Sequence, residues 1–308
     1  MKNFSKLLGI IAFVAVIGFS FVTCSNSDEG GGGGGGGSLS LPSPINPSSI
    51  QGYTGRAVET TDEALALLEG MGESEFLDVL GIARSNAFSN AFLAKYDSYE
   101  SFRDFMDAQA DKKSFSFSVP INDSDTLKDA ANEVTPNSVT AATIKGNGNF
   151  SYSSNIPFGT DGDDWVAGDT ATQSSSSTIT YNISTGKYTK GSYTIAGTIT
   201  AQCELSYKET YKTAETSTIH EKWTGGTSGT AKITAALSIS DGTRGGKFVA
   251  SSAMGMHQIS RTIETKEEKI ASDVEVYDNT GKKIITLDSR HNGLADEYDG
   301  LALILMGL

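Results

Sequence analysis

Two side chains in the middle of the chain have the types needed for a nucleophile and its base. Cys203 is the only cysteine beyond residue 24, and His220 lies on the segment expected to pair with its strand. A histidine next to a thiol activates it. However, the apolar pattern favours a register with Cys203 opposite Ile219 and Ile199 opposite Trp223, which sends His220 to the other face. We therefore expect Cys203 to be a small buried side chain, and we predict no catalytic residue.

A second group of possible ligands lies in an acidic loop, where the carboxylates are Asp161, Asp163, Asp164 and Asp169. Hard oxygen ligands close together on a loop can bind calcium. The spacing departs from that of an EF-hand, and no glutamate occupies the bidentate position. The main expectation is an ordinary acidic turn with no metal, and a calcium site is the alternative.

The remaining chemistry-bearing residues match no known catalytic or cofactor pattern. His257 and His291 have no neighbours at metal-ligand spacing, and Gly245-Gly246 lacks the lysine and the helix of a phosphate-binding loop. No Gly-x-Ser-x-Gly motif is present. The sequence therefore predicts neither an enzyme nor a cofactor, although catalytic partners converging from distant strands are not visible in a sequence.

Charge and composition narrow the possible partners. The 308 residues include 24 basic and 37 acidic side chains, for a net charge of −13, and 38% of the residues are hydrophobic. Nucleic-acid binding needs clustered cations, which no segment supplies. The hydrophobic content suffices for a folded globular body.

The first residues are typical of a secretory signal. Lys2 and Lys6 precede an uncharged apolar run from Leu7 to Val22, which is short for a permanent membrane span. Cys24 follows directly after Val22-Thr23, at the place where a signal peptide is cut. Residues 1–23 are therefore predicted to be a signal peptide.

This arrangement resembles the lipobox of bacterial lipoproteins. The resemblance covers about the first 24 residues and implies that Cys24 is diacylated on its thiol, becomes the new amino terminus and anchors the protein in a membrane. Ser25 rather than aspartate at the next position is associated in that family with the outer membrane more than the inner membrane. An uncleaved transmembrane helix is the alternative.

The residues after Cys24 are suited to be a tether. Gly30 to Gly37 is a run of eight glycines, and Pro42, Pro44 and Pro47 follow it. Such a segment has great backbone freedom and no periodic apolar face. Residues 24–50 are therefore predicted to be a flexible tether.

Helical periodicity dominates the next part of the chain, residues 51–137. Thr60 and Glu63 form a capping-box pattern before an apolar stripe that Gly70 and Gly72 should end. Further helices are predicted from Ser74, from Asp97 and over Asp125 to Val134. Their apolar and aromatic side chains are expected to pack on a sheet.

From residue 138 onward, the period changes to two. The clearest strand runs from Tyr193 to Tyr207, with its odd-numbered, apolar positions facing inward. About eight strands joined by short turns without helices indicate an antiparallel meander over residues 138–308. The fold class predicted is α+β, one domain in which a helical segment packs on a half-barrel or barrel. The apolar end, Leu301 to Leu308, is expected to dock on this core.

Two kinds of function are consistent with these features. In the first, the protein is a lipid-anchored envelope lipoprotein with a non-catalytic binding or structural role, facing an envelope or host protein. In the second, it carries or senses a lipid or other hydrophobic ligand. The residues predicted to line such a cavity are Tyr193, Ile195, Ile199, Leu205, Leu237 and Ile239.

Overall fold

The computed structural model describes residues 39–135, 138–161, 164–211, 223–259 and 264–288. Cys24 and the glycine run lie outside these residues, as do Asp163, His220 and the end of the chain from Leu301 to Leu308. The predictions for the signal peptide, the lipid anchor and the docked C-terminus therefore remain predictions.

The described residues contain four α-helices after a single 3-10 turn at Pro47–Ser49. The helices are α1 (Thr61–Glu73), α2 (Phe76–Tyr96), α3 (Tyr99–Asp107) and α4 (Thr126–Val134). None of these helices is long and apolar enough to cross a membrane.

Helix α1 begins as its sequence predicts. The Thr60 hydroxyl accepts a hydrogen bond from the Glu63 amide at 3.2 Å. The Glu63 carboxylate accepts the Glu59 amide at 2.8 Å and pairs with Arg56. The first contact satisfies an amide that the first helical turn leaves without a partner, and the second ties the residue before the cap to the helix.

The predicted end of α1 is wrong, because the helix continues through Gly70 and Gly72 to Glu73. A Cβ atom at Gly70 would lie 2.7 Å from the ring of Tyr193. The missing side chain lets this ring reach the helix backbone, where its hydroxyl donates to the carbonyl of Leu67. Gly70 thus serves close packing between helix and sheet.

Eleven strands form one sheet within the described residues. They are β1 (Arg56–Ala57), β2 (Ser114–Asp123), β3 (Thr143–Ser154), β4 (Thr170–Asn182), β5 (Tyr188–Lys190), β6 (Tyr193–Tyr211), β7 (Trp223–Ser240), β8 (Arg244–Ile259), β9 (Glu264–Ala271), β10 (Val274–Tyr277) and β11 (Lys283–Leu287). Strand β2 lies within the segment predicted to be mainly helical.

The strand order is β11-β10-β8-β7-β6-β4-β3-β2, with β5 beside β6, and with β9 and β1 beside β8. All pairs are antiparallel except the short pair of β1 with β8. The path does not close, so the sheet is open. The chain is therefore an α+β protein with a large antiparallel sheet, as the sequence predicts at this coarser level.

The predicted register between β6 and β7 is wrong. Cys203 lies opposite Ala231, and Trp223 lies opposite Tyr211 rather than Ile199. Gly225, Gly226 and Gly229 lie inside β7, which runs from Trp223 to Ser240. The parity is unchanged, and the odd positions of β6 still share one face.

The main core lies between one face of the sheet, the inner face, and helices α1, α2 and α4. Ile195, Ile233 and Phe248 from the sheet join Leu67 and Leu80 from the helices in one buried cluster. A second cluster lies at the corner of β2, β3 and α3, where the rings of Phe102, Phe117 and Phe150 lie within 5.6 Å of their nearest partners.

The opposite face of the sheet, the outer face, is partly covered by residues 39–55, here called the proline segment. Leu39 lies against Gly255, Ile50 packs with Ala236 and Val249, and the ring of Tyr53 fills the space above Gly245. The sequence assigns most of this segment to a free tether. In the structure, its described residues lie along β7 and β8.

Strand β2 forms one end of the main strand path, and its outer edge has two protecting features. Pro120 removes a backbone donor from the strand, and the Lys95 ammonium donates to the Ser118 carbonyl. Proline and lysine at a sheet edge disfavour pairing with another chain.

Candidate functional site

Four of the six residues predicted to line a ligand cavity are fully or almost fully buried core side chains. Ile195, Leu237 and Ile239 are 0% exposed and Ile199 is 2% exposed, and all four belong to the main buried cluster. Tyr193 packs against the same cluster and bonds to the Leu67 carbonyl. These five positions belong to or pack against the core between the sheet and the helices.

Leu205 differs from the other predicted cavity residues. It is half-buried, outside the main cluster, and its strand neighbour Cys203 is also half-buried. Burial raises the pKa of the Cys203 thiol, and the Glu204 carboxylate raises it further. A thiol with a raised pKa is a poor nucleophile.

The acidic loop uses its most buried carboxylate to hold its own backbone. Asp169 accepts the Val166 amide at 2.7 Å and the Asn155 side-chain amide at 3.2 Å. Asp161 and Asp164 are exposed. Within the described residues, no three potential ligands stand close enough to hold a metal ion, and Asp163 lies outside them.

The outer face of β3, β4 and β6 is lined by short polar side chains, and we call it the hydroxyl face. The strand registers place these residues side by side on one surface, where each is half-buried or exposed. The hydroxyl face consists of Asn147, Asn149, Thr172, Ser174, Ser176, Thr178, Thr180, Thr198, Thr200, Gln202 and Ser206.

Hydrogen bonds between neighbouring strands order this surface. The hydroxyls of Ser174 and Ser206 are 3.1 Å apart, and so are those of Thr180 and Thr200. The Asn149 amide donates to the Ser176 hydroxyl at 3.2 Å. Each hydroxyl can both donate and accept, so the face keeps bonding capacity for a ligand or for water.

The hydroxyl face is close to electrically neutral although the whole chain is strongly acidic. Outward positions of β4 carry no charged side chain, and the neighbouring strands add Lys145, Glu204 and Lys208. At about 3.3 Å per residue, the thirteen residues of β4 extend for about 43 Å. The geometry is that of an extended polar platform.

No protein-family model, curated protein or solved structure matches this chain.

The sequence pattern places the odd positions of β6 inward, but it does not show that the outward hydroxyls of β3, β4 and β6 lie side by side, since this depends on the strand pairing. The available signal was the alternation in β4, where odd positions such as Ile179 and Tyr181 face the core and the hydroxyls at even positions from Thr170 to Thr180 face outward. The four serines at positions 174–177 hide this alternation, since Ser175 and Ser177 are buried inner-face residues.

Proposed function

We propose that this chain is a lipid-anchored protein of the bacterial cell envelope, held at the outer membrane by Cys24, with a non-catalytic binding role. The hydroxyl face is the proposed binding surface. The observation that supports it most directly is the contrast between the two faces of the sheet. The inner face packs against helices, whereas the outer face of β3, β4 and β6 remains polar and accessible.

The anchor is supported by the order of segments at the start of the chain. A basic end, an apolar run, Cys24 and a glycine run follow one another as in bacterial lipoproteins. The fourteen residues from Ser25 to Ser38 would span about 20 Å on average as a flexible chain. This tether would keep the body near the membrane while leaving its orientation free.

The binding role is supported by the chemistry of the hydroxyl face. Its hydroxyl and amide groups suit an uncharged polar partner that offers both donors and acceptors, such as a glycan or the backbone of an envelope or host protein. Repulsion by the net charge of −13 also disfavours strongly anionic partners.

The alternative function, a carrier of a hydrophobic ligand in a half-barrel, is supported by the open sheet and the half-buried Leu205. The close packing of Ile195, Ile199, Leu237 and Ile239 weighs against a cavity at those positions. We therefore place the main function on the outer face.

Cys24→Ala tests the anchor. The wild-type protein should enter the detergent phase on phase separation, and its N-terminal peptide should have the mass of a lipidated cysteine. The variant should move to the aqueous phase, whereas the control Ser25→Ala should stay in the detergent phase. Retention of Cys24→Ala in the detergent phase would favour the uncleaved transmembrane helix instead.

A second experiment tests the binding surface. The Cys24→Ala protein is incubated with isolated envelopes of the organism that encodes it, and the bound fraction is measured after sedimentation. Adding Thr200→Arg, which places a bulky charge on the hydroxyl face, should reduce binding several-fold. Adding Glu69→Arg on the exposed side of α1 should not. Equal binding by both variants would contradict the proposal.

A further inference from the structure

Arg84, on helix α2, has a guanidinium without a partner in the described structure. Its Nε atom is fully buried and makes no hydrogen bond, while the side chain as a whole is partly exposed. No carboxylate of the described residues forms an ion pair with it. A buried cationic donor without an acceptor is costly, and an anionic ligand would satisfy it.

Tyr181, on the inner face of β4, is a second polar side chain in this region. It is 3% exposed and lies between Ile144 and Ile199 on the neighbouring strands. Its hydroxyl makes no hydrogen bond to a described residue. Burial raises its pKa while the charge of Arg84 opposes the shift, so the phenol remains a protonated donor close to the guanidinium.

Helix packing explains why these two donors meet. A Cβ atom at Gly148 on β3 would lie 3.3 Å from the ring of Phe88, so α2 crosses the sheet closely at this point. Arg84 precedes Phe88 by four residues and therefore lies on the same side of the helix, one turn away. At the start of α2, the ring of Phe76 lies 5.4 Å from that of Tyr188, so the helix runs from the Tyr188 end of the sheet toward Gly148 and passes the level of Tyr181 between them.

Arg84 and Tyr181 have buried apolar residues on one side and partly exposed residues on the other. Ile144 and Ile199 are core residues. From Ile199, the inner face of β6 continues through Ala201, Cys203 and Leu205, which are all half-buried. A strip of partly accessible small and apolar side chains thus leads away from the two donors.

We propose that Arg84 and Tyr181 bind the carboxylate of an amphipathic molecule of the fatty-acid type, and that its apolar chain lies along Ala201, Cys203 and Leu205. A guanidinium donates two parallel hydrogen bonds to a carboxylate, and the phenol supplies a third. Because the chain is strongly acidic and the site has one guanidinium, a ligand with one negative charge is favoured over a ligand with two. This site lies on the opposite face of the sheet from the hydroxyl face and does not depend on its role.

Binding of dodecanoate tests the proposal. The full chain with Cys24→Ala is titrated with dodecanoate by calorimetry or equilibrium dialysis. One saturable equivalent should bind. Acetate should bind at least tenfold more weakly because it lacks the chain, and dodecanol should bind at least tenfold more weakly because it lacks the charge.

The variants Arg84→Gln and Tyr181→Phe should each weaken dodecanoate binding, the first at least tenfold and the second several-fold. Arg103→Gln is the matched control, since Arg103 is exposed on α3 and pairs with Glu100. If Arg84→Gln does not fold, Tyr181→Phe decides the question, because it removes only an unbonded hydroxyl. Lack of saturable binding, equal binding of dodecanol, or unchanged affinity in Tyr181→Phe would overturn the proposal.

Discussion

Ile199 and Thr198 are adjacent on β6 and have opposite environments. Ile199 is buried in the main cluster, whereas the side chain of Thr198 points to the outer face. Ile199→Ala should lower the free energy of unfolding by about 2–5 kcal/mol, because burial is lost and a cavity is left. Leu205→Ala should cost less, since Leu205 is already half-exposed.

Thr198→Ala is the control for this pair and should stay within about 0.5 kcal/mol of the wild type. Urea denaturation of the three variants measures the differences. Comparable losses for Thr198→Ala and Ile199→Ala would contradict the assignment of the two faces.

Glu63 connects the start of α1 to the acid stability of the fold. Hydrogen bonds from Arg56 and from the Glu59 amide lower its pKa from an ordinary 4.5 to about 2. A lowered pKa means that the ionised form stabilises the fold fully above pH 4.5, and that this contribution disappears as the pH falls toward 2.

Glu63→Gln should therefore make the denaturation midpoint less dependent on pH between 4.5 and 2, with Glu69→Gln as an exposed control on the same helix. Denaturation at a series of pH values measures this slope. An unchanged slope in Glu63→Gln would show that the pair with Arg56 does not contribute in solution.

At the scale of elements, sequence patterns predicted long, regular segments better than their limits. The helix starts near Thr60 and Asp125 and the alternation of β6 are confirmed. The predicted end of α1 was wrong because Gly70 is needed for the close approach of the Tyr193 ring. A sequence does not show which glycine packs against a ring that is far away in the chain.

Strand β2 shows a different reason for a missed element. Phe115, Phe117 and Val119 alternate with serines and bind the sheet to α3. This ten-residue alternation lies between two helices, so it was included in residues 51–137, which were predicted to be mainly helical. The Arg84 and Tyr181 pair was not predictable either, because it requires knowing where α2 crosses the sheet.

The proline segment gives a prediction that reverses the expectation from composition. Ile50 is 5% exposed and covers Ala236 and Val249, so a chain beginning at residue 51 should unfold several degrees below one beginning at residue 39. Chains beginning at residues 25 and 39 should melt together, since the glycine run has no apolar face. Equal melting temperatures for all three chains would show that the segment does not stabilise the sheet.

At the scale of the whole molecule, the two faces of the sheet have different roles. Helices cover one face and fix the strands, while the proline segment covers only the β7 and β8 side of the other. The hydroxyl face stays accessible beside it. Leu39, the first described residue, lies at this same outer surface, so the proposed tether and the proposed binding surface would lie on one side of the body.

Photo-crosslinking in living cells tests the proposed binding surface most directly. A photoreactive amino acid is placed at Ser176 or Thr200 on the hydroxyl face, and at Glu69 or Arg103 on the helical side as controls. With the lipid anchor intact, Ser176 and Thr200 should give the same discrete adduct, and the controls should give none. Adducts confined to Glu69 and Arg103, or absent from all four positions, would contradict a binding role for the hydroxyl face.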